Sequence, residues 1–314
     1  MKNFAIIGVS GYIAPRHMEA IKSTNNNLVA ALDPNDSVGI IDSYFPNASF
    51  FTEFERFDRH IYKEQRLGNK INFISICSPN YLHDSHIRFT LRSGSDAICE
   101  KPLVLNPWNI DGLLEMEKDT GNKVNTILQL RVHPSIIKLR DKVKNSNKDT
   151  KYEVDLTYVT SRGKWYLQSW KGDINKSGGI ATNIGIHFFD MLYFIFGDVE
   201  ENIIHFNNEK TAGGYLEYKN AKVRWFLSMD NKNIPTKLSE KGQRTYRSIT
   251  LDGKEIEFSD GFTDLHTKSY EQIIKGNGFG LEENRAAIEI VSNIRHASHS
   301  GIHGNYHPLL KGYK

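Results

Sequence analysis

FAIIGVSGYIA, residues Phe4 to Ala14, carries the strongest fold signal in this chain. Its first half is a continuous apolar run, which is typical of a strand covered on both faces of a parallel sheet. Gly8 and Gly11 then begin a GxxGxxA turn that ends at Ala14. Glycine permits a tight turn and close approach of the backbone to a pyrophosphate, while the N–H groups of a following helix favour phosphates. Glycine turns after strands are common, so a purely structural turn is an equal alternative.

Asp33 strengthens the dinucleotide interpretation. It ends the next apolar run, NLVAALD, 25 residues after Gly8. An acidic side chain there accepts hydrogen bonds from both ribose hydroxyls of NAD and repels the 2′-phosphate of NADP. No cation stands among the next three residues, Pro34 to Asp36. The alternative is an aspartate that only forms the turn before a proline. The spacing favours NAD.

Strand and helix patterns alternate through the first half of the chain, where INFISICS, DAICEKP and KVNTILQL are further strands. This alternation predicts a doubly wound parallel sheet of the Rossmann type over residues 1–125. Residues 126–314 instead show strands with partial alternation, and hairpin turns at Asn220-Ala221 and Asp252-Gly253. This second pattern predicts an α+β domain with an open, mostly antiparallel sheet for substrate binding and oligomerisation. The expected class is α/β.

Composition and charge argue against several classes of function and partner. A net charge of +3 over 314 residues, without a basic block, gives no reason to expect nucleic acid. Cys77 and Cys99 each end an apolar run and are expected to be buried thiols, with no disulfide and no metal site. The N-terminus lacks a signal-peptide pattern, and the apolar stretch Ile180 to Phe196 is interrupted by polar residues. We therefore expect a cytoplasmic protein without a membrane partner.

Lys101 stands in the motif CEKP, at the carboxyl end of a predicted parallel strand. Ligands of open α/β sheets bind at those strand ends. A partly buried lysine beside a cofactor can exchange a proton with a substrate hydroxyl, and Glu100 can orient it or contact nicotinamide. A surface ion pair after the strand is the alternative, and the residues alone do not choose.

Asn183, His187 and Asp190 are spaced i, i+4 and i+7 in an apolar helical pattern, which places them on one helix face. Buried polar groups are costly without partners, so one interpretation is a hydrogen-bonded core network. The other is a polar stripe that lines a cleft, with His187 titrating beside a substrate hydroxyl.

Together these motifs resemble the glucose–fructose oxidoreductase and inositol dehydrogenase (Gfo/Idh/MocA) family. The resemblance rests on the glycine turn, SPNYLHDSHIRFTLRSGSDAICEKP and GGIATNIGIHFFD, and covers essentially the whole chain. The family carries a glutamate-lysine-proline motif, here Glu100 to Pro102, and an aspartate four residues before a histidine. Here Asn183 takes the place of that aspartate. Because asparagine does not titrate, it can position a sugar hydroxyl but cannot exchange its proton.

GYIAPRHMEAI, ALDPNDSVGIIDSYFP, QLRVHP and GFTDLHTKSYEQIIKGNGFG resemble more closely the UDP-N-acetylglucosaminuronate 3-dehydrogenases of bacterial surface-polysaccharide (lipopolysaccharide O-antigen) synthesis. This resemblance implies NAD-dependent oxidation of the C3 hydroxyl of UDP-2-acetamido-2-deoxy-glucuronate (UDP-GlcNAcA) to a 3-keto sugar. Lys101 and His187 are the candidate proton acceptors, with Lys101 preferred, and Asn183 positions the sugar. Whether NADH is released or reoxidised in place by a 2-oxo acid stays open.

The resemblance also assigns binding residues. Those implied for NAD are Gly8, Ser10, Gly11, Tyr12, Ile13, Asp33, Ser78, Asn80, His83, Glu100 and Lys101. For the anionic nucleotide sugar we expect cations and aromatic residues, in addition to Lys101, Asn183 and His187: Arg131, Arg162, Lys164, Tyr166 and Trp170. The alternative for the segment 162–170 is an ordinary exposed loop.

Assembly and competing functions complete the expectations. The family assembles through the sheet of the second domain, and outward aromatics in LEYK and VRWFLS favour a homo-dimer or homo-tetramer. Another sugar or cyclitol dehydrogenase of the family, an NAD-binding regulatory protein without turnover, and a dehydratase or epimerase that recycles NAD are the alternative functions.

Overall fold

The computed structural model describes residues 1–147, 150–256 and 264–313. They form two compact units. The first comprises Met1–Val132 and the described residues of Phe262–Arg285, and the second comprises His133–Gly261 and Ala286–Lys314 in the same sense. This division differs from the two continuous domains predicted from the sequence, because a late segment of the chain returns to the first unit.

Twelve strands are formed within the described residues. They are β1 (Asn3–Ile7), β2 (Asn27–Leu32), β3 (Ser49–Phe51), β4 (Phe73–Ile76), β5 (Asp96–Cys99), β6 (Val124–Thr126), β7 (Tyr152–Thr160), β8 (Val199–Asn207), β9 (Thr211–Tyr218), β10 (Ala221–Ser228), β11 (Thr245–Leu251) and β12 (Lys254–Glu255).

The helices follow in the same chain order. They are α1 (Ala14–Ser23), α2 (Phe54–Arg66), α3 (His83–Arg92), α4 (Pro107–Thr120), α5 (Pro134–Lys144), α6 (Trp165–Gln168), α7 (Ile174–Ser177), α8 (Ile186–Phe196), α9 (Thr236–Ser239), α10 (Leu265–Ile274) and α11 (Glu282–His296). Short 3₁₀ turns cover Gly39–Ser43, Asn80–Leu82, Gln129–Val132, Asn231–Asn233 and Pro308–Leu310, and a π-helical turn covers Ala181–Gly185.

The sheet of the first unit is parallel throughout, with the strand order β3-β2-β1-β4-β5-β6. This order is the dinucleotide-binding arrangement that the sequence predicts. In β1, Phe4 and Ile6 enter one apolar cluster while Ala5 and Ile7 enter another. The continuous apolar run therefore covers both faces of the sheet, and each fully buried large side chain contributes about 1.5–3 kcal/mol. Strand β3 and helix α2 were not predicted.

Helix α10 explains why the units are not continuous in sequence. Its residues Tyr270 and Ile273 belong to the same buried cluster as Phe4 and Met18. The ring centroids of Tyr270 and Phe4 are 5.8 Å apart. Burying this apolar face completes the core of the first unit.

The second sheet has the order β12-β11-β7-β10-β9-β8. Among its described strands only the β7–β10 pair is parallel, which confirms the mostly antiparallel prediction. Asp252 and Gly253 have φ angles of 52° and 76° between β11 and β12, which confirms that hairpin turn. The end of the predicted strand KEIEFS lies outside the described residues.

The aromatic residues of β9 and β10 correct one prediction. Tyr218, Trp225 and Phe226 are each 0% exposed, so they are not outward-facing as the sequence suggested. Phe226 packs in a cluster with Leu310, and its ring centroid lies 6.1 Å from that of Tyr313. The C-terminal segment of the chain itself therefore covers this part of the sheet.

The apolar segment around α8 is longer than predicted. By length and composition alone, Ile174–Phe196 is the one helical segment of the described chain that could cross a membrane. Most of its most apolar window is buried within the protein, as in a core helix.

Candidate active site

The glycine turn of the first unit depends on close backbone packing. Gly8 has φ of +87°, and a Cβ atom added there would lie 2.7 Å from the carbonyl carbon of Cys77 and the nitrogen of Ser78. Its N–H donates to Leu32 O at 2.8 Å. Glycine at position 8 thus lets the turn lie directly against the carboxyl end of β4, which leads to the predicted NAD-binding residue Ser78.

Asp33 is built into the same turn. Its Oδ2 accepts the N–H of Ser10 at 2.9 Å, and its Oδ1 accepts the N–H of Asn35 at 2.9 Å. The carboxylate therefore forms the turn at Pro34, as one interpretation from the sequence states, and it also faces the glycine loop. Ala14 is buried, as its helix-packing position requires.

The surface in front of this turn fits an anionic dinucleotide. Tyr12 is 89% exposed, and Ser10 is also exposed. Helix α1 begins directly behind the turn without a capping side chain and without an acidic residue in its first turn. A helix N-terminus of this kind offers N–H groups and a partial positive charge to a phosphate. The residues present thus fit the predicted cofactor, with the carboxylate of Asp33 beside the loop.

His83 holds two loops at the carboxyl end of the sheet. Its Nδ1 lies 2.7 Å from Pro102 O and its Nε2 lies 2.8 Å from Ser78 O. Burial lowers the pKa of His83, and a neutral ring donates to only one of these carbonyls. One ring nitrogen of this predicted NAD-binding residue therefore donates to the backbone. Ser78 in turn places its Oγ 2.8 Å from Nδ1 of His86, and Asn80 is buried nearby in sequence.

Two histidine nitrogens converge on the carboxylate of Glu100. Its Oε1 lies 2.9 Å from Nε2 of His17 and 2.9 Å from Nε2 of His266. Burial acts to raise the pKa of Glu100, but the hydrogen bonds from these histidines outweigh it and hold the pKa well below its usual range. Glu100 is thus an ionised, buried carboxylate and not part of a surface ion pair. Neither histidine was predicted from the sequence.

Lys101 follows this carboxylate directly. Its backbone N–H donates to Glu100 Oε2 at 3.2 Å, and the residue is partly exposed. The bond from Lys101 to Pro102 is cis. The predicted catalytic lysine therefore stands at the carboxyl end of β5, with its backbone fixed by the neighbouring carboxylate.

Arg131 makes different contacts from those expected. It is 5% exposed, its Nη2 donates to Glu283 O at 2.7 Å, and its guanidinium lies 5.2 Å from the ring centroid of Phe279. These contacts join the segment after α10 to the end of the first sheet. Arg131 was predicted to bind the substrate; the structure shows it buried, with its guanidinium against Glu283 and Phe279.

In the second unit, two of the predicted substrate-binding residues, Asn183 and Tyr166, are in contact. Nδ2 of Asn183 donates to the hydroxyl of Tyr166. Burial raises the pKa of Tyr166, so the phenol is neutral. Asn183 lies in the π-helical turn and His187 lies in α8, so the regular helical spacing assumed from the sequence does not hold between them. His187 is partly exposed, whereas Asp190 is buried.

The segment before α7 carries the cations and aromatic residues that were predicted to bind the substrate. Arg162 and Lys164 are exposed, and Trp170 is partly exposed. Nζ of Lys171, a residue that the sequence analysis did not select, lies 4.2 Å from the ring centroid of Trp170. Burial, helped by the charge of Arg162, lowers the pKa of Lys171.

A cavity of about 240 Å³ adjoins this loop within the second unit. Tyr166 and Lys171 line it on one side, and the double glycine at Gly178 and Gly179 lines another. Arg295 adds a second cation to the wall. Its wall thus carries two cations and one carboxylate, Glu209, and its position beside Tyr166 links it to Asn183.

Comparison with known proteins identifies the family of this chain. Residues 2–127 match the Gfo/Idh/MocA model of the oxidoreductase family with an NAD-binding Rossmann fold, and residues 150–239 match the model of that family's C-terminal alpha/beta domain. The chain belongs to this family. The first unit therefore contains the NAD-binding Rossmann domain of an oxidoreductase, as its strand order and glycine turn indicate.

Solved structures give the most extensive similarity. The WlbA (WbpB) dehydrogenase from Thermus thermophilus, crystallised with NAD and UDP-GlcNAcA, is 48% identical, with a TM-score of 0.95, 99% of this chain covered and 100% of that chain covered. The WlbA dehydrogenase from Bordetella pertussis, crystallised with NADH and UDP-GlcNAcA, is 17% identical, with a TM-score of 0.77 and coverage of 93% and 94%. At that identity it shows the fold alone.

Curated relatives are more distant. The D-glucoside 3-dehydrogenase of Escherichia coli (strain K12) is 26% identical over 62% of this chain and 53% of its own length. The putative oxidoreductase YteT of Bacillus subtilis (strain 168) is 24% identical over 72% of this chain and 52% of its own length. The chain thus spans about half the length of these relatives.

Proposed function

We propose that this protein oxidises the C3 hydroxyl of UDP-GlcNAcA to the 3-keto sugar, with NAD as the hydride acceptor. The observation that carries the proposal is the 48% identity, over 99% of this chain, to a dehydrogenase crystallised with NAD and UDP-GlcNAcA. The local geometry supports it, because Asp33 is joined to the glycine turn as an NAD-binding acidic residue should be.

The chemistry divides between cofactor and protein. NAD, when bound, accepts the hydride from C3 at C4 of its nicotinamide. The protein has to remove the proton from the oxygen of the C3 hydroxyl group, so that a C=O bond forms as the C–H bond breaks. Lys101 is the preferred proton acceptor in this proposal, since it stands at a strand end where ligands of such sheets bind. His187 is the second candidate.

The second unit supplies the proposed sugar contacts. Asn183 holds a hydroxyl by hydrogen bonding, and its link to Tyr166 fixes the orientation of the amide. The diphosphate and the carboxylate of the substrate require cations. In this proposal Lys171 joins Arg162 and Lys164 as a candidate because it lies on the wall of the cavity.

Recycling of the cofactor is a finer question within the same proposal. The Thermus thermophilus relative has also been crystallised with NAD and alpha-ketoglutarate, at 49% identity. This supports reoxidation of NADH by a 2-oxo acid. One 2-oxo acid would be reduced to the 2-hydroxy acid for each sugar that is oxidised.

We further propose a cytoplasmic homo-oligomer, dimer or tetramer, that acts in surface-polysaccharide (O-antigen) sugar synthesis without a membrane or nucleic-acid partner. The buried aromatics of β9 and β10 remove the original reason for an oligomer, so only the family resemblance supports assembly. Light scattering after size exclusion tests the assembly. Sugar analysis of surface polysaccharide from a deletion strain tests the pathway.

The decisive assay follows NADH at 340 nm and the product by mass spectrometry. UDP-GlcNAcA is compared with UDP-N-acetylglucosamine and inositol, each with and without 2-oxoglutarate. The proposal predicts a product two hydrogens lighter from the uronate alone, and 2-hydroxyglutarate where the 2-oxo acid is present. Turnover of inositol or of the uncharged sugar nucleotide, with none of the uronate, would point to another dehydrogenase of the family.

A further inference from the structure

We propose that His17 and His266 are positioning residues that keep Glu100 ionised and fixed beside Lys101. Their role in catalysis rests on the proposed function, whereas the protonation state they impose on Glu100 does not. The two histidines lie in α1 and α10, while Glu100 directly follows β5, so three segments distant in sequence converge on one carboxylate.

The geometry at the carboxylate is specific. Nε2 of His17 and Nε2 of His266 each lie 2.9 Å from the same atom, Glu100 Oε1. The exposed fractions of His17, His266 and Glu100 are 0%, 5% and 7%. The second oxygen, Oε2, accepts the backbone N–H of Lys101. An ionised carboxylate can accept all three bonds, so water is not needed to satisfy it.

The hydrogens can be assigned from the chain of partners. A carboxylate oxygen only accepts, so both Nε2 atoms carry hydrogen. Nδ1 of His17 lies 2.7 Å from the hydroxyl of Tyr270, which lies 2.6 Å from Oγ of Ser75. With His17 neutral, Tyr270 donates to Nδ1 and accepts from Ser75. Burial lowers the pKa of His17 and raises the pKa of Tyr270, in agreement with two neutral groups.

This assignment makes Glu100 dependent on its two imidazole donors. Burial alone favours the protonated carboxyl group, and the histidine hydrogen bonds reverse that preference. If one donor is lost, burial persists and the part of the stabilisation that this imidazole supplied disappears. Glu100 then takes up a proton at higher pH than in the native protein.

The consequence reaches Lys101 and the cofactor turn. The carboxylate accepts the backbone N–H of Lys101, so a negative charge lies directly beside the backbone of the predicted proton acceptor. His17 belongs to the helix that begins directly behind the glycine turn. The network therefore ties the helix at the predicted pyrophosphate site to the predicted proton acceptor, and it fixes the charge beside that acceptor.

A metal ion is the other occupant that these groups suggest. The three ligand atoms lie within 4.8 Å of one another, and two histidines with a carboxylate suit several divalent metals. The hydrogen-bond interpretation is favoured because each Nε2 already meets Oε1 at 2.9 Å, and Tyr270 completes the pattern at His17. Metal analysis of the purified protein separates the two.

A pair of substitutions isolates the proposed contact. His17→Gln places an amide N–H near the position of Nε2 and keeps the bond to Glu100. His17→Asn places an amide near the position of Nδ1. This variant keeps the hydrogen bond to Tyr270 and loses the hydrogen bond to Glu100. Both variants replace a buried imidazole by an amide, so a merely structural role of His17 predicts similar losses of kcat in the two variants. His307→Asn, at a buried histidine of the second unit bonded to Thr157, is the matched control for destabilisation.

Two readouts test the proposal. His17→Asn should lower kcat by about 10- to 100-fold and shift the acid limb of its pH profile to higher pH, while His17→Gln and the His307 variant keep the native profile. Infrared spectra without substrate should show a protonated-carboxyl C=O band in His17→Asn, absent from the native protein and abolished by adding Glu100→Gln.

The outcomes are distinct. The proposal would be overturned if both His17 variants lost kcat equally, kept the native pH profile and showed no new infrared band. A stoichiometric metal ion in the native protein, lost in both variants, would overturn it in favour of a metal site. If the native protein fails to oxidise UDP-GlcNAcA, the proposed function falls, and the infrared arm still tests Glu100.

Discussion

The carboxylate of Asp33 accepts the backbone N–H of Ser10 across 2.9 Å, which joins the end of the second strand to the glycine turn. Removing this carboxylate removes both a support of the turn and the proposed ribose acceptor. Asp33→Ala should therefore weaken NAD binding by about 10- to 100-fold, the range for loss of hydrogen bonds to a charged group. Calorimetric titration with NAD and NADP measures this. Unchanged NAD affinity would contradict the ribose assignment.

Lys101 is expected to be needed for chemistry more than for cofactor binding. Lys101→Met should lower kcat by about 10²- to 10⁴-fold, the usual loss when a general base is removed. NAD affinity, measured on the same preparation, should change little. His187→Gln serves as the comparison. If it lost far more turnover than Lys101→Met, the proton would be assigned to His187.

Lys171 should contribute to binding of the nucleotide sugar. It lines the cavity of the second unit, and burial lowers its pKa, so its charge is lost at lower pH than for an exposed lysine. Lys171→Met should raise KM for UDP-GlcNAcA by about 10-fold, as expected for one charge-assisted contact. The native KM should also rise towards alkaline pH, and this rise should be absent in the variant.

Lys222→Met is the control for Lys171, since Lys222 lies on β10 and pairs with Glu153. Equal KM values for Lys171→Met, Lys222→Met and the native protein would remove Lys171 from the binding site.

His307 makes stability depend on pH. Burial lowers its pKa to about 4, whereas the unfolded value is 6.5. Its contribution to stability is therefore complete above pH 6.5 and is lost as the pH falls towards 4. Between pH 7.5 and 5 this loss is about 2 kcal/mol, and His307→Asn should remove most of it. Urea unfolding at the two pH values measures the difference, with exposed His299→Asn as control. An equally steep pH dependence in His307→Asn would exclude His307 as its source.

The first unit was predictable where the signals are local. The apolar run of β1, the glycine turn and Asp33 lie within 30 residues, and their spacing alone fixes a strand, a turn and an acidic strand end. Strand β3 was missed because it has three residues and is only partly buried, so it shows no clear periodicity.

The network at Glu100 was not predictable from one sequence. Glu100 and His266 are 166 residues apart, and nothing in the pattern of α10 indicates which sheet it covers. The aromatics of β10 were misassigned for the same reason, since the C-terminal segment that covers Phe226 begins over 70 residues later. The π-helical turn at Asn183 has a polar and apolar pattern that an ordinary helix would also show.

The most direct test of the central claim is a single turnover with UDP-GlcNAcA that carries deuterium at C3. If this protein removes hydride from C3, mass spectrometry will find NADH one mass unit heavier and a 3-keto sugar without deuterium. UDP-GlcNAcA deuterated at C4 will give unlabelled NADH. Label in NADH from the C4 substrate, or unlabelled NADH from the C3 substrate, would contradict oxidation at C3.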